Sequence, residues 1–144
     1  HLNYLCKTIE KNGFKTSSIV LEILEDEDMY EFIDTIANLK TKGFKLAIDD
    51  FGTGYSNFQK LQQLNVDYIK IDGSLVKNVV NNPKDLTIIK SICNYAGAIG
   101  VKTIAEFVAD KNIYELIKTS GIDYAQGYYI GQPKPTIDVS FQNK

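Results

Sequence analysis

The chain has 144 residues, enough for one domain, and its 44% hydrophobic and 24% charged content excludes a disordered or fibrous protein. Its 16 basic and 18 acidic residues give a net charge of -2, which argues against a binder of duplex nucleic acid, since phosphate contacts demand a basic face. Every basic residue is a lysine, so no guanidinium fork is available for a phosphate or a guanine edge.

Short apolar runs rich in β-branched residues alternate with amphipathic stretches, the βαβα pattern of a parallel sheet. In chain order the pattern predicts a helix over Leu2–Lys11, a strand over Ile19–Ile23, a helix over Asp28–Thr41 and a strand over Phe44–Asp49. It continues with a helix over Ser56–Leu64, a strand over Tyr68–Ile71, a helix over Pro83–Ile99, a strand over Val101–Ala105, a helix over Asp110–Thr119 and a strand over Tyr124–Gly127. Met29, Phe32, Ile33, Ile36 and Leu39 keep helical spacing with Gly43 beyond as a stop, and Pro83 suits the first turn of its helix. Tyr30, Tyr95 and Tyr114 are expected on packed helix faces, and the run Glu25 to Asp28 as a solvated helix start that favours the dipole. Five strands fit either a compact α/β domain or the later part of a (βα)8 barrel, which takes about 250 residues when whole. No low-complexity linker or domain boundary interrupts the chain, so residues 1–144 read as a single domain.

Cys6 and Cys93 lie far apart without Cys-x-x-Cys or Cys/His spacing, and the one histidine is residue 1. They read as free thiols of a reducing cytoplasm rather than a disulfide or zinc site. No apolar run reaches the roughly 20 residues of a membrane span, and no signal-peptide pattern opens the chain. The expectation is a soluble, cytoplasmic chain.

Strands buried in a parallel sheet usually read as unbroken apolar runs. Here Glu22 sits inside IVLEIL, Asp49 and Asp50 close FKLAIDD, Lys70 sits inside YIKID, Glu106 follows KTIA and Gln126 lies in YAQGYY. All fall near the carboxyl ends of their strands, where α/β sheets and barrels carry ligands. Side-chain alternation places Glu22, Asp49 and Lys70 on the faces opposite their apolar neighbours, so the set can converge on one cavity. Carboxylates gathered there repel one another unless a cation joins them, and a hard divalent ion such as Mg2+, Mn2+ or Ca2+ suits oxygen ligands. Paired ions of this kind activate water in phosphoester cleavage and recruit an anionic substrate. Taken alone, Asp49-Asp50 before a glycine reads as a solvated turn or a helix cap; polar residues at five strand ends favour a site. The glycines of FGTGYS lack the spacing of a nucleotide-binding loop.

The blocks LEILE, DDFGTGYSN, YIKID, IAE and QGYYIGQP, in this order, resemble the EAL domain family of bacterial cyclic di-GMP phosphodiesterases over essentially the whole chain. The resemblance implies part of a TIM-type barrel, about five of its parallel strands with flanking helices, and hydrolysis of cyclic di-GMP to linear pGpG with Mg2+ or Mn2+. It implies that Glu22, Asp49 and Asp50 bind metal, Asp49 bridging two ions, and that Lys70 lies beside the attacking water. Glu106 is implicated in metal or water activation, Gln126 matches the glutamine of the QGY block, and Glu25 supports the loop after DDFG.

Departures from the family pattern are specific. No Glu-Ala-Leu tripeptide and no asparagine of an early strand is present, the AEGVE block reads Ala105-Glu106-Phe107-Val108-Ala109, and Gly73 stands where an arginine often follows KID. The expectation is the later portion of an EAL barrel lacking the N-terminal units, holding one side of a two-metal site and inactive as a fragment. The alternative is a degenerate domain that binds cyclic di-GMP without cleaving it. A homodimer that covers the open barrel edge, and a sensor or cyclase domain upstream, are the further partners considered.

Overall fold

The computed structural model describes residues 2–25, 32–52 and 58–135. Strands β1 (Val20–Leu24), β2 (Lys45–Phe51), β3 (Tyr68–Ile71), β4 (Lys102–Ala105) and β5 (Tyr124–Ala125) form one sheet in chain order, every pair parallel. Around them run α1 (Leu2–Lys11), α2 (Ile33–Thr41), α3 (Phe58–Leu61), α4 (Gly73–Asn78), α5 (Pro83–Ala98) and α6 (Lys111–Lys118). A doubly wound sheet reverses its order at a switch point. No reversal occurs among the described strands, so the sheet winds in one direction, as the wall of a TIM-type barrel does.

Register divides the sheet into two faces. The rows Leu21–Leu46, Ile23–Ile48–Ile69–Thr103 and Phe51–Ile71–Ala105–Ala125 carry the side that packs on the helices, where Leu46, Ile48, Ile69, Ile71 and Ala105 are fully buried with Ile89 and Ile92 of α5 and Ile117 of α6. Burying one such aliphatic side chain stabilises by about 1.5–3 kcal/mol, so this layer dominates the fold. The second face carries Glu22, Ala47, Asp49, Lys70 and Ile104. At its edges Val20, Leu24 and Tyr124 are exposed.

One device holds the amino ends of two strand pairs. Asp67, just before β3, accepts hydrogen bonds from the Leu46 amide (2.9 Å), Lys40 Nζ (2.6 Å) and Lys45 Nζ (3.0 Å). Asp123, just before β5, accepts from the Thr103 amide (2.9 Å), Thr103 Oγ1 (3.1 Å) and Lys102 Nζ (2.6 Å). Burial opposes the charge of both carboxyls, but the hydrogen bonds from these partners outweigh it and hold both below the usual aspartate value.

The elements depart from the sequence pattern at their ends. Strand β2 runs on to Phe51, whereas β5 stops at Ala125. The helix expected over Ser56–Leu64 is Phe58–Leu61 among the described residues and ends before the left-handed Asn65 (φ 47°). Residues 26–31 lie outside the described set, so Asp28, Met29 and Tyr30 of the expected second helix go untested; its described part is Ile33–Thr41. Helix α4 carries too few apolar residues for a periodic signal, and Asp72 caps it by accepting from the Ser74 amide. Glu25 is not solvated as expected: it is buried, because its carboxylate turns inward to the Gly52 amide.

Candidate functional site

The site grows from an irregularity in β2. Ile48 pairs with Ile69 and Phe51 with Ile71, so β2 advances three residues where β3 advances two. The extra residue forms a β-bulge at Asp49-Asp50, with Asp50 in the left-handed region (φ 56°). A regular strand would send these two carboxylates to opposite faces; the bulge lets both reach one cluster. Glu106 completes it from the end of β4, and one carboxylate oxygen from each of Asp49, Asp50 and Glu106 lies within 4.8 Å of the others.

Lys70 stands among these acids. Its Nζ is 2.8 Å from Asp49 Oδ1, 2.9 Å from Glu22 Oε1 and 3.0 Å from Glu106 Oε1, with the lysine side chain 7% exposed. Burial disfavours its charge, but hydrogen bonds to Asp49, Glu22 and Glu106 reverse that and raise the ammonium well above the usual lysine range. Desolvation raises Asp50, reinforced by the charges of Asp49 and Asp72. Desolvation also raises Glu106; Lys70 lowers it, and Asp49 and Asp50 push it up again. One lysine therefore leaves the acidic cluster short of positive charge.

The remaining expected residues surround this centre. Glu25 Oε2 accepts from the Gly52 amide at 3.1 Å and fixes the turn after the aspartates. Gln126 is exposed, and its backbone ties the strand ends together: its amide donates to the Ala105 carbonyl (2.8 Å) and its carbonyl accepts from the Val108 amide (3.0 Å). Gly127 follows with φ 156°, where a Cβ would overlap the Val108 backbone. The structure thus gathers Glu22, Asp49, Asp50, Lys70 and Glu106, and sets Glu25 and Gln126 on opposite flanks. Sequence reasoning missed Lys77 and Phe107. Both line, with Glu106, Ala109, Gln126, Gly127 and Tyr128, a cavity of about 340 Å3 beside the cluster. The pair of departures at Gly73 and Phe107 was the available signal.

Three carboxylates with hard oxygen donors, two of them raised by burial and further by their neighbours' charge, fit a divalent cation. Together the one-way parallel sheet and this cluster define a barrel-type domain with an acidic cluster that fits a divalent cation at the carboxyl ends of its strands. The EAL domain model matches residues 1–133, and the chain belongs to the EAL domain family.

The chain is 38% identical over 137 residues to the cyclic di-GMP phosphodiesterase PdeB of Shewanella oneidensis, covering 93% of this chain and 16% of that protein. It is 45% identical over 104 residues to the cyclic di-GMP phosphodiesterase PdeF of Escherichia coli, covering 72% and 14%. Among solved structures it resembles the EAL domain of Mycobacterium smegmatis DcpA, with TM-score 0.80 and 35% identity over 90% of this chain and 59% of that one. It also resembles Klebsiella pneumoniae BlrP1 in a manganese and cyclic di-GMP complex, with TM-score 0.82 and 28% identity over 88% and 33%. The chain therefore spans a minor part of the length of these curated relatives.

Proposed function

We propose that the chain is the later portion of an EAL barrel within a longer, metal-dependent phosphodiesterase that hydrolyses cyclic di-GMP to linear pGpG in the cytoplasm. The observation that carries the reading is the contact of Lys70 with Glu22, Asp49 and Glu106 beside the joint cluster of Asp49, Asp50 and Glu106. A structural ion pair needs one partner. A lysine shared among three acids, next to a fourth that repels them, suits a centre that takes up cations and an anionic substrate.

Glu22, Asp49 and Asp50 would hold Mg2+ or Mn2+, with Glu106 beside them. Such ions, when bound, supply Lewis acidity that lowers the pKa of water and offsets charge on the phosphoryl oxygens. Lys70, whose three N–H groups meet Glu22, Asp49 and Glu106, places its positive charge beside the attacking water and helps position it toward phosphorus. Glu106, raised by its buried setting, accepts the proton as the new P–O bond forms in line with the departing ribose oxygen. Glu25 holds the Gly52 turn and so the direction of Asp50. Gln126 offers an amide to the substrate at the rim.

Ala109 favours a second reading, a receptor that binds cyclic di-GMP without cutting it, because this position of the AEFVA block contributes no carboxylate to the cavity it lines. Exposure of Val20, Leu24 and Tyr124 on the sheet edges supports a homodimer when this stretch stands alone, and the greater length of the relatives supports an attached sensor or cyclase domain.

Turnover separates these readings. The chain and its Asp49→Asn variant are incubated with cyclic di-GMP and Mn2+, and pGpG is resolved chromatographically. Product that disappears in the variant establishes hydrolysis at this cluster. Binding without product selects the receptor, and equal product from both proteins overturns the assignment of Asp49.

A further inference from the structure

Gly73 and Phe107 are complementary in shape. Gly73 opens α4 in a buried position, and a Cβ there would overlap the Phe107 ring. Phe107 holds a left-handed backbone (φ 53°), a conformation that a bulky residue adopts only when its surroundings impose it. Glycine would satisfy that backbone at no steric cost. Yet the chain keeps a large ring there, 54% exposed, so core packing does not account for it.

The ring's surroundings are those of a ligand pocket. Lys77 Nζ stands 4.0 Å from the ring centroid. Phe107, Lys77, Ala109, Gln126 and Tyr128 line a cavity of about 340 Å3, within the roughly 300–1,000 Å3 of small-molecule sites. Glu106 belongs both to this cavity and to the acidic cluster, so an occupant of the cavity is continuous with anything held at the cluster.

The geometry points to Phe107 as the platform for one purine base of a cyclic dinucleotide, with Lys77 and Gln126 meeting the edge of that base. The inference rests on the cyclic di-GMP reading above and adds the residues that select the base. An aromatic face stacks on the π-face of a base. An ammonium donates to the O6 and N7 acceptors of guanine, and an amide offers both a donor and an acceptor. Ala109 leaves room beside the ring. Phe107 therefore acts on binding and base preference and takes no part in bond breaking.

The test is binding of cyclic di-GMP, and of its analogue with 2-aminopurine in place of guanine, to the chain in Mn2+. Phe107→Gly removes the ring and relaxes its backbone. It should weaken binding about tenfold or more and abolish the fluorescence quenching that stacking produces, while leaving Mn2+ affinity unchanged. Gly73→Ala should displace the ring and reproduce the loss, with no further effect in the Phe107→Gly background. Equal dinucleotide affinity and equal quenching in wild type and Phe107→Gly overturn the platform and leave the cyclic di-GMP reading intact. A wild-type chain that binds Mn2+ but neither dinucleotide overturns both.

Discussion

Lys70 Nζ stands 2.8 Å from Asp49 Oδ1, one residue beyond the Ile48–Ile69 pair and just where the β2–β3 ladder breaks into its bulge. The contact joins the two features that make the cluster: a lysine buried on the face opposite the helices, and a strand that yields two adjacent carboxylates to one place.

Replacing the lysine tests that balance. Lys70→Met leaves Glu22, Asp49 and Glu106 without their shared cation. Removing one partner of a buried ion pair costs about 3–5 kcal/mol, and the partial exposure of Glu22 puts the expected loss at the lower end. The variant should recover more of its Tm than wild type does when Mn2+ is added, because a bound ion replaces the lost charge. Thermal melts with and without Mn2+ measure both effects, and equal metal-induced shifts would contradict the account.

Asp67 sets an acid limit on stability. Its carboxyl lies below the ordinary 3.8 in the folded chain, so it contributes stability that is present above 3.8 and is lost as pH falls through 3.8 toward the folded value. Asp123 adds a contribution of the same sign. Asp67→Asn should be less stable at pH 7 and show a shallower loss of stability between about pH 5 and pH 2. Denaturant midpoints across that range decide the matter; an unchanged acid slope would remove Asp67 from the explanation.

Gly127 allows the chain to turn back past Val108. Gly127→Ala places a Cβ on the Val108 backbone in a conformation costly for an alanine, and should destabilise by about 2 kcal/mol or more. Chemical denaturation reads the change. The neighbouring cavity should distort with it, since Gly127 also lines that space.

Tyr95 of α5 anchors the start of α3. Its hydroxyl donates to the Phe58 carbonyl, and its ring meets Phe58 edge-on at 4.7 Å between centroids. Tyr95→Phe keeps the ring contact and loses the hydrogen bond, an expected cost of about 0.5–1.5 kcal/mol. Urea midpoints of the two proteins provide the comparison.

Most of the sheet was legible because β1, β3 and β4 are short apolar runs rich in β-branched residues and the strands are set off by glycine or polar turns. The polar residues inside those runs marked Glu22, Lys70 and Glu106, since ionisable groups seldom occupy such strands without a partner. Glu25 was harder to read: adjacency to Asp26, Glu27 and Asp28 suggested a solvated run, whereas its carboxylate turns inward to the Gly52 amide. Phe107 and Gly73 were visible as two separate departures, but their mutual fit is a contact across 34 positions of chain.

What the sequence by itself determined was the parallel α/β pattern, the face on which Glu22, Asp49 and Lys70 lie, and membership of the EAL family, because alternation and motif order are local properties. The tertiary structure alone decided that Asp50 joins Asp49 on one side, that one ammonium serves Glu22, Asp49 and Glu106, and that the Phe107 ring occupies the space beside Gly73. Those outcomes depend on register between strands and on the exclusion of overlapping atoms, which residues far apart in the chain determine only once they are packed together.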